Sequence, residues 1–171
     1  MVLILILGDL HIPHGASDIP AKLKRLLVPG KIQLILSTGN ICDRETWEWL
    51  KSVGSDVRGV AGEWDDVGQL GPTLSMTLPG SHLTITLISA HRIVPNADRD
   101  ILQTMARCVG GDVVCCGGPL AQNRGDGEEE GDKASDQELP KRVIEVDNKL
   151  YINPGSATGA SCPGLQHVGH G

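Results

Sequence analysis

An unbroken apolar run from Val2 to Leu7 stops at Gly8, and Asp9-Leu10-His11-Ile12-Pro13-His14 follows at once. Such a run reads as a strand buried on both faces, the form strands take in a largely parallel sheet. It falls far short of the roughly 20 apolar residues needed to cross a bilayer. It also has no basic flank before it, so a core strand of a soluble, intracellular chain is expected rather than a leader or a span. Asp9 and His11 place an oxygen ligand and a nitrogen ligand two positions apart. In an open α/β sheet, chemistry gathers just beyond the carboxyl ends of the strands. A candidate metal site therefore falls where such a fold would build one.

The pattern then repeats. Pro20 opens a short amphipathic helix, AKLKRLL, that ends at Pro29-Gly30, and Lys31 to Ser37 reads as a second strand closing in Thr38-Gly39-Asn40. Asp43 is the expected N-cap of the helix RETWEWLKSV, which Gly54 stops. A third strand is expected near Val57 to Ala61, running into Gly62-Glu63-Trp64-Asp65. Thus three strands in succession end in glycine beside a potential ligand. Thr73 to Leu78 and His82 to Ser89 read as strands around the turn pair Pro79-Gly80, followed by Ala90-His91-Arg92-Ile93-Val94-Pro95. A helix is expected from near Asp98 to the Gly110-Gly111 stop. Asp112 to Cys116 forms another apolar strand, and RVIEVD and KLYINPG form a pair joined at Asp147-Asn148.

One domain over residues 1–160 is expected for a chain of 171 residues. Its core must rely on Leu, Ile and Val, because the chain has no phenylalanine, one tyrosine and three tryptophans. The segment 124–142 is acidic and nearly free of hydrophobic side chains, so it is expected as a disordered, solvated insertion. Residues 161–171, glycine-rich and without periodicity, are expected as a flexible tail. The net charge of −6 and the lack of a basic stripe argue against a nucleic-acid partner. The odd set of five cysteines, with Cys115 and Cys116 adjacent in a strand, reads as buried thiols in a reducing compartment.

Strands ending in Asp, Asn or Glu between helices are what a binuclear metal hydrolase needs, with two cations about 3.5–4 Å apart clamping a phosphoryl group. The blocks GDLHIPH (8–14), IPAKLKRLLVPGKIQ (19–33) and YINPGSATGA (151–160), with Gly39-Asn40 and Gly62-Glu63 between them, resemble the calcineurin-like metallophosphoesterase superfamily. Within it, they are most similar to the branch that supplies the small subunit of the retromer coat. The resemblance implies an α/β fold, a two-sheet β-sandwich flanked by helices, here lacking the last strands of the relatives. It also implies the metal ligands Asp9, His11, Asn40 and Glu63. The chain departs from the superfamily pattern elsewhere. Ser89 stands where a metal histidine is expected, and Gly118 and Leu120 replace the two histidines of a Gly-His-x-His motif. Asn40 is a neutral bridge, and Trp64 occupies the place of the catalytic imidazole. Two or three ligands around an uncharged bridge make the site vestigial, with no cofactor expected and at most weak Zn or Mn binding. His91, two residues past Ser89, would share its face if the strand continued. Asp9 and His11 also admit a structural reading, as a loop cap and a donor to a carbonyl.

The resemblance then implies a non-catalytic scaffold subunit of retromer, in endosome-to-Golgi and plasma-membrane cargo retrieval. The chain would be cytoplasmic and reach the endosome membrane only peripherally, through the complex. Ile93, Val94 and Pro95 match the apolar loop that docks into the large α-solenoid subunit. Leu3 and Leu26 match an apolar patch that receives endosomal regulators. The alternatives are a working metal-dependent phosphoesterase and a truncated chain without a stable fold.

Overall fold

The computed structural model describes residues 2–65, 70–94, 99–117 and 143–159. The acidic segment 124–142, the tail 161–171, Pro95, Gly118 and Leu120 lie outside the described residues.

The first half alternates strand and helix. Strand β1 (Ile4–Leu7), helix α1 (Ala21–Leu26), β2 (Ile32–Ser37), α2 (Arg44–Val53) and β3 (Gly54–Gly59) build a three-stranded parallel sheet in the order β1-β2-β3. Asp43 caps α2 as the sequence predicts, its carboxylate accepting from Thr46 N at 3.1 Å. Trp47, Leu50 and Val53, at helical spacing, form the buried face of α2.

The second half is a mixed five-stranded sheet in the order β4-β5-β6-β8-β7. Strands β4 (Thr73–Thr77) and β5 (Thr84–Ile88) pair antiparallel around the Pro79-Gly80 turn. A 3-10 turn (Ala90–Arg92) and helix α3 (Arg99–Val109) then lead to β6 (Val113–Cys116). Strands β7 (Val143–Val146) and β8 (Lys149–Ile152) form a hairpin. Asp147 and Asn148 turn it with φ of 53° and 58°, the left-handed pair that matches the twist of two-residue hairpins.

The two sheets face each other. Leu34, Leu36, Ile85, Leu87 and Cys115 pack in one buried cluster with Ile4 and Ile6. The outer face of the first sheet packs Leu7, Ile35, Trp47 and Leu50 together, and that of the second packs Ile88, Val114, Cys116 and Tyr151 against Leu102 and Ala106 of α3. The architecture is the expected two-sheet sandwich with helices outside. Cys115 and Cys116 point to opposite faces, as their place in a strand requires.

Two expectations need correction. The third strand starts at Gly54, directly at the end of α2, and not near Val57. A side chain at Gly54 would collide with the Ile35 side chain, so the residue that stops the helix is also the one that lets the chain pair at once with β2. Strand β1 is not buried on both faces: among the described residues it lies at the sheet edge, and Ile4, Leu5 and Ile6 are only partly buried.

Candidate functional site

The carboxyl ends of β1, β2 and β3 converge, and Asn40 ties them together. Its carbonyl accepts from the backbone N–H groups of Leu10 and His11, at 3.0 and 2.9 Å. Its side-chain Nδ2 donates to Asp9 Oδ1 at 3.1 Å, and its Oδ1 accepts from Trp64 N at 3.2 Å. His11 and Asn40 both adopt left-handed backbone conformations, with φ of 50° and 55°. The loop after β8 closes over the same corner. Ala157 N and Ser156 Oγ both donate to Asp9 O, and Thr158 Oγ1 donates to Leu10 O at 2.9 Å. Gly8 lies flush against the carbonyl of Gly155, where any Cβ would overlap it. Gly117, at the end of β6, approaches Thr38 and Asp9 from the other sheet.

Of the predicted ligands, Asp9 and Asn40 meet through their side chains, and His11 joins them through its backbone N–H to the Asn40 carbonyl. His11 is buried, and among the described residues its Nδ1 has no hydrogen-bond partner, so the reading of His11 as a donor to a carbonyl finds no support at that atom there. Glu63 sits exposed on the turn after Ala61 and does not join them. Among the described residues, no group of three or more His, Cys, Asp and Glu side chains could hold a metal ion. Ser89 is buried and its Oγ lies 2.7 Å from His91 Nδ1. The strand has ended by then: His91 rides exposed on the 3-10 turn, so it does not share a strand face with Ser89. Trp64 contributes its backbone N–H to Asn40 and turns an exposed ring toward His14, with centroids 6.4 Å apart. Beneath the corner, burial pushes the Cys116 thiol up to about 12, with the charge of Asp9 adding to the effect.

The corner also depends on a residue that no ligand motif marks, Asp65. Its carboxylate accepts three backbone N–H groups, those of Gly62 (2.6 Å), Cys42 (2.7 Å) and Asn40 (2.8 Å). A signal was present: an Asp three residues past a glycine can turn back and accept that glycine's N–H.

The apolar candidates divide. Ile93 is 2% exposed and packs with α3, whereas its neighbour Val94 is 74% exposed. Pro95 lies outside the described residues. Leu3 and Leu26 are both exposed, at 50% and 75%, and so are Val2 and Val28. Among the described residues, no helix is long and apolar enough to cross a membrane.

Comparison with known proteins bears on the family and the fold. Residues 2–168 match the model of the calcineurin-like phosphoesterase superfamily domain. Vacuolar protein sorting-associated protein 29 of Schizosaccharomyces pombe is 33% identical over 159 residues, which cover 93% of this chain and 74% of that protein. The crystal structure of Chaetomium thermophilum Vps29 superimposes with a TM-score of 0.74 at 34% identity, over 95% of this chain and 75% of that one. Entamoeba histolytica Vps29, solved in complex with Zn²⁺, gives 0.73 at 29% identity, over 95% and 78% of the two chains.

Proposed function

The chain belongs to the Vps29 family of the calcineurin-like phosphoesterase superfamily, and from that premise we propose that it is a non-catalytic scaffold subunit of retromer in vacuolar protein sorting. One observation carries the non-catalytic part. The Asn40 side chain, at the place of the bridging ligand, is engaged at both ends, donating to Asp9 and accepting from Trp64 N. An amide so engaged supplies no negative charge between two cations. Glu63 stands outside the cluster, so among the described residues the side chains at the strand ends do not fit a cation pair. In this reading the superfamily's fold is kept as a rigid platform. Val94 offers its side chain to the large α-solenoid subunit, and Leu3 and Leu26 offer an apolar surface to endosomal regulators. The chain reaches the endosome from the cytoplasm as a peripheral part of that complex.

A second reading, weak binding of a single Zn or Mn ion, has one observation in its favour: the buried Nδ1 of His11, which has no hydrogen-bond partner among the described residues. Asp9, His11 and Asn40 would hold the ion, which would supply Lewis-acid activation of water. The test is hydrolysis of an aryl phosphate by the purified chain in millimolar Mn²⁺, beside the Asp9→Ala variant. The scaffold reading expects equal background rates for both. Metal-dependent turnover lost in Asp9→Ala would establish a phosphoesterase instead.

A further inference from the structure

We propose that Asp65 is a latch that clamps the loop after β3 onto the loop after β2, and that it is the positioning residue for the whole Asn40 corner. Its single carboxylate gathers N–H groups from two loops: Asn40 and Cys42 on one, Gly62 on the other. A carboxylate accepts such bonds strongly because its charge is spread over two oxygens with room for several donors. Here Oδ2 takes Asn40 N and Gly62 N, and Oδ1 takes Cys42 N. The loops meet so closely that no side chain fits between them. A Cβ at Gly62 would overlap the backbone of Asn40, and one at Gly39 would lie 2.7 Å from Gly62 N. Asn40 and Cys42 both hold left-handed backbone conformations that turn their N–H groups toward Asp65. The consequence runs outward. With its backbone clamped, Asn40 reaches Asp9 through Nδ2 and holds Trp64 N through Oδ1. The latch thus also sets where the exposed Trp64 ring stands, although Asp65 touches neither Asp9 nor that ring through any of these bonds.

The test is residue-resolved amide hydrogen exchange on the full chain, for the wild type, Asp65→Ala, Asp65→Asn and Glu63→Ala. Losing the carboxylate is expected to speed exchange of the Asn40, Cys42 and Gly62 amides together by about tenfold or more, while the Leu34 and Leu36 amides of β2 are unchanged. Sodium formate is expected to restore protection in Asp65→Ala, where it can enter the emptied place, and not in Asp65→Asn, where the amide fills it. Glu63→Ala leaves all three amides as in the wild type. The proposal is overturned if the three amides keep wild-type protection without the carboxylate, if they loosen only in step with β2, or if Glu63→Ala loosens them equally. Should both Asp65 variants fail to fold, the wild type decides: the three amides must exchange as one group, and unrelated rates for them would overturn the latch.

Discussion

Asn40 Nδ2 donates to Asp9 Oδ1 at 3.1 Å, so the end of β2 is bonded to the end of β1 by an amide where a two-metal hydrolase needs a shared anion. Asn40→Asp replaces that bond with two facing carboxylates. Loss of the hydrogen bond and like-charge repulsion are expected to destabilise the chain by about 1–3 kcal/mol in urea unfolding at neutral pH. On the scaffold reading, millimolar Mn²⁺ should recover stability in this variant well beyond any gain in the wild type, because two facing carboxylates hold a cation more strongly than a carboxylate beside an amide.

Packing around the corner predicts unequal costs for equal substitutions. Gly8→Ala drives a methyl group into the Gly155 carbonyl and is expected to cost about 1–3 kcal/mol, as overpacking does. Among the described residues Gly71→Ala meets only Thr73 O, at an ordinary 3.5 Å, and should fall within about 0.5 kcal/mol of the wild type. Chemical denaturation of the two variants side by side checks the contrast.

Burial pushes the thiols of Cys115 and Cys116 up to about 12 from an ordinary value of 9.0. Both groups hold their protons more tightly folded than unfolded. Their contribution to stability is therefore complete below pH 9.0 and lost as pH rises toward about 12. Iodoacetamide at pH 8 should label exposed Cys108 and spare Cys115 and Cys116 until urea unfolds the chain, as read by peptide mass spectrometry.

Most of the framework was legible because local signals agreed with one another. The Asp43 cap, the spacing of Trp47, Leu50 and Val53, and the Asp147-Asn148 turn each name their element from adjacent residues. What was not legible depends on contacts across the fold. Gly54 reads as a helix stop, and only the Ile35 side chain pressed against it explains why a strand begins there too. Strand β1 looks like a central strand from its apolar run, yet its place at the edge is a matter of which strands pair beside it. Glu63 resembles a ligand in the motif, whereas Asp65, two residues on, holds the site together by reaching backbone N–H groups 23 and 25 residues away. Ile93 and Val94 could not be told apart because a 3-10 turn intervenes after β5 and breaks the strand's alternation.

Ile93 is 2% exposed and Val94 is 74% exposed, so of the two Val94 is the one whose side chain a partner can reach. The decisive measurement is equilibrium binding of the large α-solenoid retromer subunit to the wild-type chain and to Val94→Asp. The scaffold account predicts tight binding by the wild type and loss of at least about tenfold in affinity for Val94→Asp, an effect of about 1.4 kcal/mol, with unchanged far-UV circular dichroism. Undiminished binding by Val94→Asp, or no binding by the wild type, would contradict it.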